Sequence, residues 1–360
     1  MCDNFRIMKA LRIHGNKDIR LEDIPEPVPG EGEARLQITN TSICATDIEE
    51  WQYGPLWTQH DGPNPISGQE MPLVLGHEIS GHVESLGEGA TELEVGDRVV
   101  VNNVRTCGTC FWCMRGSQAT CNSMCVAGLS ADGGLAEFMT WPASHLIKLP
   151  DNISDREAPL VEPATVAVHA VRRSGVKVGD NVAVIGCGTV GLLTVQAFRT
   201  AGARVIAVDV REDSIALAKS LGADDTINSA DSRAMEQLLE FTNGIGADIA
   251  AETAGAEKTP QLAIDYTRKA GTTVLVGIYS ATPAFNFNDI VGTEKTVIGS
   301  VAASPGDMEA TVRLISEGKI SVKELISAVV PLDRAIEDGF ERMTRPEKDV
   351  FRILISPSGT

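Results

Sequence analysis

Cys107, Cys110, Cys113 and Cys121 follow a C-x2-C-x2-C-x7-C pattern within fifteen residues, CGTCFWCMRGSQATC. Four thiolates so spaced can fill a tetrahedron around Zn2+ and leave no open position, which predicts a structural metal site rather than a reactive centre. Two disulfides would need an oxidising compartment, and an iron–sulfur cluster is another use of four such thiolates. The other cysteines are Cys2, Cys44, Cys125 and Cys187. Cys125 is read as a bystander, and Cys187 as a small residue in a tight turn. A second set of ligand types is scattered: Cys44 in SICATD, His77 and Glu78 in LGHEISG, and Glu162 in PLVEPAT. These span 118 positions, so spacing alone does not join them and only a fold can.

A third constellation is Gly186-Cys187-Gly188-Thr189-Val190-Gly191, a G-x-G-x-x-G turn between an apolar run and a helical pattern. Gly186 allows the tight turn, Gly188 lets a pyrophosphate approach the backbone, and Gly191 lets helix and strand pack closely. The phosphates then meet the free N–H groups of the helix N-terminus at Thr189 and Val190. Asp209 ends the next apolar run, 23 positions after Gly186. A carboxylate there accepts the adenosine ribose hydroxyls and repels a 2′-phosphate, which favours NAD over NADP. Arg211, two residues on, could pair a phosphate instead. Val276 and Ile278, in and after TTVLVG, complete the expected cofactor contacts.

The elements that must position these groups divide the chain. Up to about residue 150, ALRIHG, ARLQITN, GHVESLG and DRVVVNN read as β runs separated by turns, with little helical periodicity. After Pro163 the pattern alternates. VKVGDNVAVIG, ARVIAVDV, ADIAAETAG and TTVLVG read as buried strands, and TVGLLTVQAFRTAG, REDSIALAKSLG and TPQLAIDYTRKAG as helices. That alternation predicts a doubly wound parallel sheet. Two helical segments and the β run FRILIS close the chain.

The 360 residues carry a net charge of −18, with 43% apolar residues and mean hydropathy near zero. An acidic surface opposes nucleic acid as a partner. No run reaches the roughly 20 apolar residues of a membrane span. MCDNFRIMKALRIHG lacks the apolar core and cleavage site of a secretory signal, so a cytoplasmic protein is expected.

GHEISG at 76–81, VGDRV at 95–99, the four-cysteine loop and the GCGTVG turn occur in that order. Together they resemble the zinc-dependent medium-chain dehydrogenase/reductase family over nearly the whole chain. EPATVAVHAVRRSG at 162–175 and HDGPNPISGQEMPLVLGHE at 60–78 are similar to its polyol and (R,R)-butanediol dehydrogenase branch. Ethanol-type relatives usually carry a cysteine where this chain has Glu162. The resemblance implies an α/β protein: a GroES-like β catalytic domain over 1–162, a Rossmann domain over 163–300, and a segment at 301–360 that returns to the catalytic domain.

It also implies two zinc ions, one structural and one catalytic. The catalytic ion would be held by Cys44 and His77, with Glu78 or Glu162 as the remaining protein ligand. Asp47 would orient the His77 imidazole, and Thr46 would hydrogen-bond the substrate oxygen and begin a proton path. Many relatives continue that path through a histidine five residues after the cysteine. Here Glu49 stands at that position, and His60 is a conceivable substitute.

The expected reaction is reversible oxidation of a secondary alcohol, vicinal diol or polyol to a ketone, with hydride passing to NAD in a cleft between the domains. Trp51, Trp57 and the 53–70 loop are expected to shape the pocket, although the tryptophans could equally serve packing or subunit contacts, and the pocket would also suit a hydrophobic or cyclic alcohol. A zinc-free reductase would lack Cys44, GHE and the cysteine loop. A non-catalytic NAD-binding protein would have lost a zinc ligand or Thr46, and neither loss is present. Relatives form dimers or tetramers, so a homo-oligomer is expected.

Overall fold

Alternating burial along Ile7–Gly15 and Glu33–Ser42 sets one face of each strand into a core and the other toward water. The computed structural model describes residues 6–345 and 350–359. In chain order the elements open with β1 (Ile7–Gly15), β2 (Asp18–Pro25), β3 (Glu33–Ser42), α1 (Ala45–Tyr53), β4 (Leu73–Val74) and β5 (Glu78–Leu86). There follow β6 (Arg98–Val101), β7 (Val104–Arg105), β8 (Cys125–Val126), β9 (Phe138–Pro142), β10 (Leu146–Lys148) and α2 (Val161–Ser174). The parallel region comprises β11 (Asn181–Ile185), α3 (Thr189–Thr200), β12 (Arg204–Asp209), α4 (Glu212–Ser220), β13 (Asp225–Asn228) and α5 (Ala234–Phe241). It continues with β14 (Ala247–Glu252), α6 (Thr259–Tyr266), β15 (Thr267–Leu275), α7 (Asn288–Val291) and β16 (Thr296–Gly299). The last elements are α8 (Asp307–Ser316), β17 (Ile326–Pro331), α9 (Glu341–Met343) and β18 (Arg352–Ser356).

Two units result. The first holds the chain up to Glu162, Ser304–Val312 and the part from Val322 onward; the second holds Pro163–Ala303 and Arg313–Ser321. In the first, one sheet runs β10-β6-β5-β3-β18-β17 with β9 also on β3, and a smaller sheet runs β2-β1-β4. β3 therefore lies between β5 and β18, with Ser42 opposite both Glu78 and Leu354. That register places the chain after Ser42 beside the starts of β5 and β18. Leu11, Ile13, Ile43, Leu135, Phe340 and Ile353 form one core of this unit, and Leu36, Ile79, Val99 and Trp141 belong to another.

In the second unit the order β13-β12-β11-β14-β15-β16 is parallel throughout. Its direction reverses between β11 and β14, the switch point at which such sheets bind ligands beyond their strand ends.

Two local readings need correction. The helix expected over TPQLAIDYTRKAG stops at Tyr266, and Thr267 begins β15. The Thr267 hydroxyl bonds the Ala263 carbonyl, ending the helix while its backbone pairs with Ala247. The β-rich first region also contains a helix, α1, whose nine residues ATDIEEWQY are too few for a clear helical period to show.

Candidate active site

Cys44 is the N-cap of α1, so its thiol stands at the end of β3 rather than within a helix. Asp47, at the third helical position and wholly buried, accepts the Cys44 N–H at 2.8 Å through Oδ2. This is a capping box in which cysteine takes the usual serine or threonine place. The other Asp47 oxygen lies 3.4 Å from His77 Nδ1. One carboxylate thus holds the Cys44 backbone and lies beside the imidazole Nδ1.

His77 comes just before β5, which Glu78 begins, and follows Gly76, whose φ of +90° suits glycine and whose Cβ would sit 2.6 Å from Thr41 and 2.8 Å from Leu135. Cys44, His77 and Glu78 present donor atoms within 4.8 Å of one another. Glu162, near the start of α2, lies outside that group; its Oε1 accepts the Asn103 amide at 3.1 Å. Thr46 Oγ1 is 3.8 Å from Cys44 Sγ, and Glu49 follows one turn later on α1.

Arg352 was not anticipated. It lies on β18, buried, and donates to Glu78 at 3.0 and 3.2 Å and to Cys44 Sγ at 3.8 Å. A lone arginine in the apolar run FRILIS was the available signal, because a buried guanidinium demands a partner. Burial acts against its charge, but Glu78 and Cys44 outweigh that and raise its pKa. Replacing Arg352 by Leu leaves Glu78 buried without its cation. Denaturant unfolding of chelator-stripped protein should then show a loss of about 3 kcal/mol, and less with zinc bound.

The protein's own charges favour a cation here. Burial opposes protonation of His77, yet Asp47 and then Cys44 raise its pKa well above the ordinary value. Burial first, and the charge of Glu78, push Glu162 to about 7 against His77, Asn103 and Arg352. His77 Nδ1 and Asp47 Oδ1 are buried without a well-formed hydrogen bond. A divalent ion fits this donor set of one thiol, one imidazole and nearby carboxylates.

The four-cysteine loop forms a separate cluster, all four sulfurs lying within 4.8 Å of one another. Cys107 Sγ is 3.5 Å from Cys121 Sγ and 3.9 Å from Cys113 Sγ. Zn–S bonds of about 2.3 Å set tetrahedral edges near 3.8 Å, whereas a disulfide needs about 2.05 Å. The geometry is that of a metal cage, and every described cysteine is a free thiol. Backbone N–H groups of Thr109 and Cys110 with the Cys121 side chain lower the Cys107 pKa to about 6, favouring thiolate. Cys125 is buried apart, its thiol against Ser130 O at 3.8 Å.

In the second unit, Gly186 (φ +94°) lies against Ala254, and a Cβ on Gly191 would overlap the Gly186 carbonyl. Gly188 differs, with an ordinary φ of −74° and nothing within 4 Å of where a Cβ would point. The absence of a side chain there leaves a cradle at the N-terminus of α3, where Thr189 and Val190 begin the helix. Asp209 ends β12; one oxygen accepts Cys187 N–H at 2.6 Å, the other Val210 and Arg211 N–H at 2.8 and 2.9 Å. The Arg211 guanidinium is ion-paired with Asp213, Nε at 3.2 Å. Cys187 is buried, and burial first, with Asp209, raises its thiol pKa. Val276 is buried, whereas Ile278 is exposed in the loop after β15.

Other expectations fare differently. Trp51 is partly buried and packs edge-on against Phe340 at 5.8 Å, beside one core of the first unit. Trp57 is exposed, and its N–H is held by Glu50. His60 bonds Thr58 O at 2.8 Å and lies 3.5 Å from Asp61.

These features define a metal-binding oxidoreductase with a dinucleotide fold. Residues 30–151 match the alcohol dehydrogenase GroES-like domain and residues 189–317 the zinc-binding dehydrogenase family. The chain is 36% identical to the (R,R)-butanediol dehydrogenase of Bacillus subtilis (strain 168), over 98% of this chain and 100% of that one. It is 33% identical to the sorbitol dehydrogenase of Halalkalibacterium halodurans, over 89% and 92%. The crystal structure of 2R,3R-butanediol dehydrogenase from Bacillus subtilis superposes with a TM-score of 0.90, covering 97% of this chain and 99% of that one. Two further neighbours at TM-scores of 0.88 and 0.87, 27% and 26% identical, were solved with NADP (Sinorhizobium meliloti 1021) and NADH (Escherichia coli CFT073); they cover 98% and 97% of this chain and 100% and 99% of theirs. The chain belongs to the zinc-dependent medium-chain dehydrogenase/reductase family, in its polyol and butanediol dehydrogenase branch. It is an alcohol dehydrogenase that uses zinc and a nicotinamide cofactor.

Proposed function

We propose that the chain reversibly oxidises the secondary hydroxyl of a vicinal diol or polyol to a ketone, with hydride passing to NAD. The carrying observation is the buried gathering of Cys44, His77 and Glu78, aimed by Asp47 and braced by Arg352. One zinc ion would be held there and a second by Cys107, Cys110, Cys113 and Cys121. Bound at the first site, zinc supplies Lewis-acid polarisation of an alcohol oxygen.

Cys44 and His77 are the fixed ligands on this reading. Glu78 is shared with Arg352, and Glu162 is the second carboxylate able to balance the ion's charge. Thr46 takes the hydroxyl proton of the substrate. Glu49, one turn further along α1, is the next acceptor; burial first and then the Glu50 charge raise its pKa, bringing it closer to working pH. Gly186, Gly188 and Gly191 with the N-terminus of α3 hold the pyrophosphate, and Val276 and Ile278 border the nicotinamide half. Asp209 opposes a 2′-phosphate while Asp213 engages Arg211, so NAD is preferred to NADP.

Purified protein assayed with secondary alcohols, diols and polyols should reduce NAD with vicinal diols or polyols as the better substrates, and kcat/KM for NAD should exceed that for NADP at least tenfold. Primary alcohols as the better substrates, or a preference for NADP, would contradict this reading.

A pH dependence follows from Glu162. Below about pH 7 its carboxyl holds a proton that a cation must displace. Above that value the carboxylate is free, so zinc affinity of stripped protein should fall as pH drops from 8 to 5.5. Competition with a chromophoric chelator measures it. Glu162→Gln should bind zinc more weakly and release about one proton fewer per ion; an unchanged slope would remove Glu162 from the site.

A further inference from the structure

Glu252 ends β14, at the switch point, and is wholly buried. Its Oε1 accepts three bonds of 2.8 Å, from Ala254 N–H, Gly255 N–H and the Thr259 hydroxyl. Its Oε2 accepts the hydroxyl of Tyr279, 27 positions along the chain. All four donors are neutral, and together they match the acceptor capacity of one carboxylate. Neither residue belongs to the zinc site or to the Gly186–Asp209 turn.

The bonds join three loops. Thr253 Oγ1 donates to the Gly186 carbonyl at 2.8 Å, and Ala254 is the neighbour that a Cβ on Gly186 would strike at 2.8 Å. The chain held by Oε1 is therefore the one on which the phosphate turn leans. On the other side, Val276 N–H donates to the Glu252 carbonyl at 2.8 Å. A Cβ on Gly277 would lie 2.6 Å from Glu252 Oε2, and one on Gly255 (φ +64°) would overlap the Ile278 carbonyl. The loop after β15, containing Val276 and Ile278, is thus fastened to the end of β14 by backbone contact and by the Tyr279 hydroxyl. Burial first, and then the bond to Glu252, raise the Tyr279 pKa and keep that hydroxyl a donor.

Strand order assigns the use. Gly186 and Asp209, at the ends of β11 and β12, serve the adenosine half of a dinucleotide, leaving the ends of β14 and β15 to the nicotinamide half. We infer that Glu252 and Tyr279 form a latch that sets the loop after β15 against the nicotinamide half of the cofactor, as positioning residues for hydride transfer. This rests on the dinucleotide reading above.

Tyr279→Phe removes one hydroxyl and leaves the ring. Loss of one buried bond to a carboxylate should raise the Kd for NADH and the KM for NAD about tenfold, with a smaller change in kcat. KM for the alcohol at saturating NAD, and zinc per chain, should stay near the parent values. Glu252→Gln is the conservative control. Its amide oxygen can keep the three Oε1 bonds and its NH2 can donate to the Tyr279 oxygen, so cofactor affinity should stay within about threefold of the parent. NADH fluorescence titration and steady-state kinetics read both variants. If Tyr279→Phe lowers the melting temperature while NADH Kd and NAD KM are unchanged, the contact is structural and the latch is refuted. If Glu252→Gln weakens NADH as much as Tyr279→Phe does, the reversed bond does not form, and equal loss on removing the same contact from either side supports the latch. If the parent protein binds neither NADH nor NADPH, the dinucleotide reading fails first, an outcome separable from an unaffected Tyr279→Phe in a parent that binds.

Discussion

Cys44→Ser should lose turnover by about a thousandfold or more while binding NADH with little change in Kd. The thiol is half-buried at the N-cap of α1, aimed by the Asp47 cap and facing both Arg352 and the His77–Glu78 strand. A serine hydroxyl keeps the shape but stays protonated and is a poor ligand for zinc. Lewis-acid polarisation is worth several kcal/mol of transition-state stabilisation, and each 1.36 kcal/mol is a factor of about ten in rate. The dinucleotide turn lies in the other unit and draws its bonds from Asp209, Thr253 and Val208. Steady-state turnover, zinc per chain and NADH titration on one preparation make the test. A variant with near-normal turnover would remove Cys44 from the chemistry.

Cys110→Ser should cost the protein its structural ion, and its largest effect should be on folding rather than on the reaction. Structural zinc sites contribute about 10 kcal/mol or more in isolated peptides, comparable to the whole stability of a domain at about 5–15 kcal/mol. The loop has only two short 3-10 turns, Cys113–Arg115 and Gln118–Thr120, and leaves Phe111, Trp112 and Met114 exposed. The expected result is one zinc per chain in place of two, rapid proteolysis between residues 106 and 126, and a poor yield of folded protein. A variant that resisted protease with one ion bound would show that side-chain packing, not metal, holds the loop.

The legible parts of the molecule are those where local chemistry and fold coincide. Four cysteines in fifteen residues can meet within one compact loop, so their spacing alone names the ligands of one site. The glycines of GCGTVG announce a turn because a Cβ on Gly191 would overlap a carbonyl five residues back. The β14 and β15 side of the sheet was readable as alternation, although Thr267 turned from helix to strand where its backbone found Ala247, and β16 beyond it was not read. The catalytic grouping was legible only through resemblance, since strand register and not spacing brings Cys44, His77 and Glu78 together. What escaped were residues whose importance lies in their partners. Asp47 was assigned to His77 alone, while its second task, capping α1, was hidden behind a cysteine N-cap. Arg352 comes 274 positions after Glu78, and Tyr279 follows Glu252 by 27. Such pairs are set by sheet order, which no local pattern encodes.

The gathering of sulfur, imidazole and carboxylate around an accessible ion is tested most directly by diffraction above and below the zinc edge, on crystals of active, NADH-loaded protein. Two anomalous peaks per chain are expected, one among Cys107, Cys110, Cys113 and Cys121, the other in bonding contact with Cys44 and His77. A single peak in the cysteine loop, with Cys44 and His77 free of metal in fully active protein, would contradict the assignment.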